Sequence, residues 1–167
     1  MNRVSYLVIY EGDDIESNVA AYVPSFDASI MGDTYDETKA LVQEIISHEI
    51  ASLTSRGLGI PPDIAHSEAI QLADGTYPVL YESSSSMNRY TAYIPGLRIL
   101  LAGKSLIDVK SKVRTILEKE IKDRTTSGKS MPHDFVRIES ISVTVQHPSY
   151  ALFRQKHIRN ADKLCNM

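Results

Sequence analysis

The chain repeats itself. Setting each residue against the one 71 positions later aligns residues 6–72 with 77–143 without a gap. About a quarter of these pairs are identical, against about 6% for unrelated chains, so an internal duplication dictates everything else about the fold. The opening runs YLVIYEG and YPVLYES share Tyr6/Tyr77, Val8/Val79, Tyr10/Tyr81 and Glu11/Glu82. The next runs share Ala21/Ala92, Tyr22/Tyr93, Pro24/Pro95 and Gly32/Gly103. Lys39/Lys110, Val42/Val113, Glu49/Glu120 and Ile50/Ile121 follow, and then Gly57/Gly128, Pro61/Pro132, Asp63/Asp134, Glu68/Glu139 and Ile70/Ile141.

Each copy carries the same punctuation. A β-branched and aromatic run (5–11; 77–82) predicts a strand, a second alternating run ends at a proline (18–24; 88–95), and a third ends at the shared glycine (28–31; 97–102). Thr34 and Ser105 are natural N-caps for a helix, and Asp36 and Glu37 suit the positive end of its dipole in the first copy. Gly57 and Gly128 fit as C-terminal caps with a proline beyond, and a fourth strand follows (66–72; 136–145). The unit is β-β-β-α-β, twice, an α+β fold with divisions at 1–72, 73–145 and a basic tail at 146–167. On a helical wheel Val42, Ile45, Ile46, Ile50 and Leu53 share one arc, as do Val109, Val113, Ile116, Leu117 and Ile121. Each sheet then has one face under a helix and one face open, and the other copy is the natural cover, giving an internal pseudo-dimer. Glu49 and Glu120 fall inside the apolar arcs, where a carboxylate needs a donor; the shared tyrosines are candidate donors.

The order β-β-β-α-β, with Tyr22, Pro24 and then GDTYDETKAL entering the helix, resembles the HicB-like antitoxin family. The matching stretch runs from Tyr6 to Pro61, with an echo from Tyr77 to Pro132, together about four fifths of the chain. The resemblance implies a partial RNase H-like fold without a working nuclease site, and a protein that binds and masks a HicA-type toxin, a small basic RNA-cutting partner. Many members add a C-terminal ribbon-helix-helix or helix-turn-helix. Here 22 residues follow position 145, and Tyr150–Leu164 fits a single short helix carrying Arg154, Lys156, Arg159 and Lys163, too little for a helix-turn-helix.

Charge is unevenly divided. Residues 1–72 hold 12 acids and 3 bases, residues 73–143 hold 8 acids and 11 bases, and the tail adds one acid and four bases. Such a split suits two faces for two partners, or docking between the halves. In the antitoxin reading the partner-binding acids are Glu11, Asp13, Asp14 and Glu16 of the first copy, meeting a basic protein by charge complementarity. The alternative is a nucleic-acid-binding or regulatory protein using Lys112, Lys119 and Lys122 of the second helix with Arg154, Lys156 and Arg159 of the tail. A third reading is a structural or dimerising module whose partner face the duplication has consumed; a homo-oligomer is open in all three.

Enzyme chemistry finds no footing. His48-Glu49 lacks a second histidine at zincin spacing, and the five histidines are scattered. GKS at 103–105 and 128–130 lacks the earlier glycine of a phosphate loop, and the serine run at 83–86 has no glycine elbow. The lone Cys165 rules out a disulfide within the chain. No catalytic residue, metal or cofactor is expected. The N-terminal run MNRVSYLVIYEGDD is apolar over too few residues for a signal peptide or membrane anchor, so a cytoplasmic protein is expected.

Overall fold

A computed structural model describes residues 2–13, 17–84, 89–129 and 135–145. The order is β1 (Asn2–Gly12), β2 (Ser17–Val23), a 3-10 turn (Pro24–Phe26), β3 (Ala28–Thr34), α1 (Tyr35–Ser55), β4 (Ala65–Leu72), β5 (Gly75–Ser84), β6 (Arg89–Ile94), β7 (Ile99–Gly103), α2 (Leu106–Ser127) and β8 (Phe135–Val145). The protein is α+β, with two four-stranded antiparallel sheets and two helices. Both helices are internal; the helix expected over Tyr150–Leu164 lies outside the described residues. No helix among those described is long and apolar enough to cross a membrane.

The helix ends follow from side-chain chemistry. Thr34 and Ser105, both extended, accept hydrogen bonds from the Glu37 and Asp108 amides, and satisfy one orphan donor of each first turn. Glu37 and Asp108 reach back to the amides of Asp33 and Lys104, one residue before each cap, and tie the incoming chain to the first turn at both helices. At the far ends Gly57 and Gly128 both have φ of +68°, the left-handed turn that lets the chain leave a helix.

The sheets do not follow the repeats. Their orders are β3-β2-β1-β8 and β4-β5-β6-β7. Each sheet takes three strands from one repeat and its fourth from the other. β8 runs along the whole of β1, from Asn2↔Val145 to Gly12↔Phe135. β4 turns through Ala73 and Asp74 into β5, pairing Ala65↔Glu82 to Leu72↔Gly75. Adding 71 carries each pairing onto its counterpart: Ile9↔Tyr22 becomes Leu80↔Tyr93, and Tyr22↔Ser29 becomes Tyr93↔Leu100. Ala65↔Glu82 likewise maps onto Glu11↔Val136. The crossing from α1 to β4 is pinned to the first sheet: Tyr6 Oη donates to the Pro61 carbonyl, and the Leu7 amide donates to Asp63 Oδ2. Position 78 in the second repeat is proline and lacks that amide.

Each helix closes a core on one sheet face. Val42, Ile46 and Ile50 of α1 pack with Tyr6, Val8, Tyr10, Val19, Ala21 and Val23, and β8 adds Ile141, Val143 and Val145. In the second core Val109, Val113 and Leu117 of α2 pack with Val79, Tyr81, Ala92 and Ile94. The buried stripe of α1 therefore has a spacing of four and is narrow. Glu49, one residue and 100° away from Ile50, swings into solvent, so the expected burial of this carboxylate is not what the helix does. Glu120 is half-buried, and its partner is Arg124 one turn on, at 2.7 Å, rather than a tyrosine.

Candidate functional site

Side chains alternate across a strand, so with Tyr6, Val8 and Tyr10 turned toward α1, Ile9 and Glu11 point to the opposite face. In β5 the same alternation turns Leu80 and Glu82 away from α2. Ile9 and Leu80 are buried to 2% and 0% exposure, yet neither belongs to a helix-covered core. The hydrogen bonds show what covers this face. Tyr93 Oη donates to Glu11 Oε2 at 2.7 Å, and Tyr22 Oη lies 3.5 Å from Glu82 Oε2. These are one interaction made twice, since 71 positions separate both the tyrosines and the glutamates. The open faces of the two sheets meet each other.

Between them lies a cleft of about 500 Å³. Ile9, Ala20, Ala21 and Leu100 form its apolar wall, Ser29 and Thr91 add small polar groups, and the two tyrosine–glutamate pairs close it. Its two ends differ in charge. At one, Glu11 also accepts from the Gly96 amide at 3.1 Å, and Arg98 shares a surface hollow with it. At the other, position 27 (the counterpart of Arg98) is Asp27, which Tyr22 Oη approaches at 3.4 Å. Burial, and then the Asp27 charge, push the Glu82 carboxyl above its ordinary pKa, against the opposing pull of its bond from Tyr22. Burial also raises the Tyr22 hydroxyl to about 12, reinforced by Glu82 and Asp27. Both tyrosines are therefore neutral donors at physiological pH.

A second pair of equivalent clusters sits under the helices. Lys39 meets Glu139 at 2.8 Å and Lys110 meets Glu68 at 2.6 Å, so each ion pair joins one repeat's helix to the other repeat's last strand. Tyr35 Oη donates to Glu139 at 2.7 Å; its counterpart is Leu106, so the second cluster has no such bond. Burial would raise the Glu139 carboxyl, but its bonds from Lys39 and Tyr35 together with the charges of Lys39 and Arg137 hold it below the ordinary range.

Of the acids proposed from sequence, Glu11 and Asp13 line one surface hollow. Glu11 is held by Tyr93 and Gly96, and Asp13 accepts from the Ser17 amide, the Ser17 hydroxyl and Asn18. Asp14 and Glu16 lie outside the described residues. Of the bases, Lys112 bonds both Asp108 and the Ala102 carbonyl at 3.0 Å, while Lys119 and Lys122 are exposed on α2. Arg154, Lys156 and Arg159 lie outside the described residues. Among the described residues no group of three or more His, Cys, Asp or Glu is placed to hold a metal ion. Sequence reasoning missed the Lys39–Glu139 and Lys110–Glu68 pairs, although all four residues are repeat identities. No protein-family model, curated protein or solved structure matches this chain.

Proposed function

We propose that the chain is a non-catalytic protein-binding module of HicB-like antitoxin type, which covers a small basic partner of the HicA-type RNase class. The observation that carries this reading is the contrast between the outer faces of the two helices. On α1, Asp36, Glu44 and Glu49 are exposed and have no ion-pair partner among the described residues, while the one lysine of that helix, Lys39, is committed to Glu139. On α2 four of the six bases, Lys110, Lys112, Arg114 and Arg124, are each paired with a carboxylate, and Lys119 and Lys122 are exposed. Unneutralised acids on the exposed surface of α1 steer and hold a basic protein, whereas a helix whose bases are mostly paired with its own carboxylates offers less to a phosphate backbone. The duplicated module, read as an internal pseudo-dimer, turns its open sheet faces inward and leaves the α1 face to a partner.

The test is affinity capture from host lysate treated with nuclease. Wild-type protein should retain a small basic protein, and Asp36→Lys, Glu44→Lys and Glu49→Lys combined should release it without lowering the melting temperature. Capture that survives this triple reversal, or retention of nucleic acid in its place before nuclease treatment, would sink the proposal.

A further inference from the structure

One flank of α1 is not filled by its own sheet. Between the C-terminal half of α1 and the end of β8 runs a groove of about 580 Å³, lined by Ser47, Ile50, Ala51, Thr54, Thr144 and Val145. Ile50 and Val145 are buried there, whereas Ser47 and Ala51 are exposed. The repeats differ at this place. Ser47 and Ala51 correspond to Glu118 and Lys122, long charged side chains on α2, and Val145 corresponds to Asp74, in the turn from β4 into β5. The flank is thus pared to small side chains beside the strand from which the chain runs on, and not beside the strand that turns straight back.

What runs on is the segment 146–167, and two properties match it to the groove. Tyr150, Leu152 and Phe153 begin five residues past Val145, a length of up to about 17 Å, enough for the chain to turn back onto the last turns of α1. Arg154, Lys156, Arg159 and Lys163 follow, against a single acid, Asp162. α1 carries the complement. Residues three, four and seven apart share one side of a helix, so Asp36, Glu44, Ser47, Ala51 and Thr54 lie along one flank. Both acids are exposed, with no ion-pair partner among the described residues. From Ala51 back to Glu44 is about 10 Å along the axis and to Asp36 about 22 Å, spans that Lys156 and Arg159 cover from an anchor at Phe153.

We propose that the segment 146–167 folds back into this groove, with Tyr150, Leu152 and Phe153 against Ile50, Ala51 and Val145 and its bases along Glu44 and Asp36. So short a tether holds the segment at millimolar effective concentration, so a contact of modest intrinsic affinity stays closed. On the antitoxin reading, on which this consequence alone rests, the docked segment occupies Asp36 and Glu44, and a basic partner must displace it.

Cys165 is the one cysteine of the chain, so a nitroxide attached there reports on the segment within the otherwise wild-type full chain. In nuclear magnetic resonance spectra the label should broaden the amide signals along α1 and leave those of residues 111–122 in α2 sharp. Ser47→Glu combined with Ala51→Lys copies the flank of α2 at two exposed positions, in the favourable order for a pair one turn apart. This variant should restore sharp α1 signals while the melting temperature holds, and Phe153→Ser should restore them too. Sharp α1 signals in the labelled wild-type chain, broadening spread equally over α2, or broadening that survives Ser47→Glu with Ala51→Lys would each overturn the docking. So would broadening in an isotope-enriched, unlabelled chain mixed with spin-labelled chain, which places the segment on a second copy. None of these readings needs a partner, so failure here and failure of the capture assay are separate results.

Discussion

Lys39 Nζ lies 2.8 Å from Glu139 Oε1, joining the helix of the first repeat to the final strand of the second. Its counterpart, Lys110 to Glu68, makes the reverse connection. The two are not equal. Glu139 is 25% exposed and also accepts from Tyr35, while Glu68 is 44% exposed and accepts from no tyrosine among the described residues. Glu139→Gln should therefore cost about 1–2 kcal/mol, and Glu68→Gln less than about 1 kcal/mol. Equal losses in denaturant titrations would contradict this ranking.

Glu139 and Glu82 should also give opposite pH dependences. Folding lowers the Glu139 carboxyl, so its contribution is present above the unfolded value and lost as pH falls through the folded one. Folding raises the Glu82 carboxyl, so stability from its protonated form is present below the unfolded value and lost as pH climbs through the folded one. Near neutral pH, Glu82→Gln should match or exceed wild-type stability, and Glu139→Gln should fall below it. Both differences should shrink toward about pH 3, where unfolded glutamate is itself protonated. Thermal melts across that range decide it, and parallel curves would refute the assignment.

The buried tyrosines separate packing from hydrogen bonding. Tyr6 is 1% exposed and donates to the Pro61 carbonyl, so Tyr6→Phe leaves that acceptor unmet and should cost about 1 kcal/mol. Tyr10 and Tyr81 are as deeply buried, but their hydroxyls meet no partner among the described residues. Tyr10→Phe and Tyr81→Phe keep the ring, remove the hydroxyl, and should be neutral or stabilising. A loss above about 1 kcal/mol in either would show a hydroxyl contribution that the packing does not explain.

Shared glycines before the helices mark close approach. A Cβ on Gly103 would stand 2.9 Å from the Val109 backbone nitrogen and 3.0 Å from its Cβ, and one on Gly32 would meet Thr38 Oγ1 at 2.6 Å. The first clash is with backbone at the start of α2, which cannot swing aside. Gly103→Ala should cost about 1–3 kcal/mol, the usual range for overpacking. Gly32→Ala can relax by turning Thr38, at the expense of its bond to the Val19 carbonyl. Chemical unfolding of both variants should place Gly103→Ala lower.

Local chemistry was legible in this sequence, and long-range pairing was not. The caps at Thr34 and Ser105, the glycines at 57 and 128 and all eight strands announce themselves through alternation and turn residues within a few positions. Glu49 misled because a wheel gives the direction of an apolar arc but not its width. Tyr22, Tyr93, Glu11 and Glu82 were each visible as repeat identities, yet their crosswise union depends on how the sheets exchange strands. One signal did exist. Ala73-Asp74 before Gly75 is a two-residue turn between two strand-like runs, which makes β4 and β5 a hairpin across the repeat boundary. With that hairpin in place, β1 lacks an equivalent neighbour until β8 arrives.

This exchange predicts how the halves behave apart. β1 pairs with β2 at Ile9, Tyr10 and Glu11 only, whereas β8 pairs with all eleven residues of β1. Without β8, residues 2–8 of β1 lose their ladder, and α1 loses Ile141, Val143 and Val145 from its core. An isolated fragment 1–73 should therefore not be a folded monomer. Its own β4 offers a substitute, because the register of β4 on β5 maps by 71 onto β1: Ala65 of one copy would face Glu11 of another, as Val136 does in the intact chain. The fragment should form a strand-exchanged homodimer, and adding 74–167 should convert it into a one-to-one complex that recovers the intact chain's circular dichroism. Sedimentation equilibrium distinguishes these states. A compact, cooperatively melting monomer of 1–73 would mean that the first repeat closes its own sheet, and that the crossing of β4 and β8 is incidental to folding.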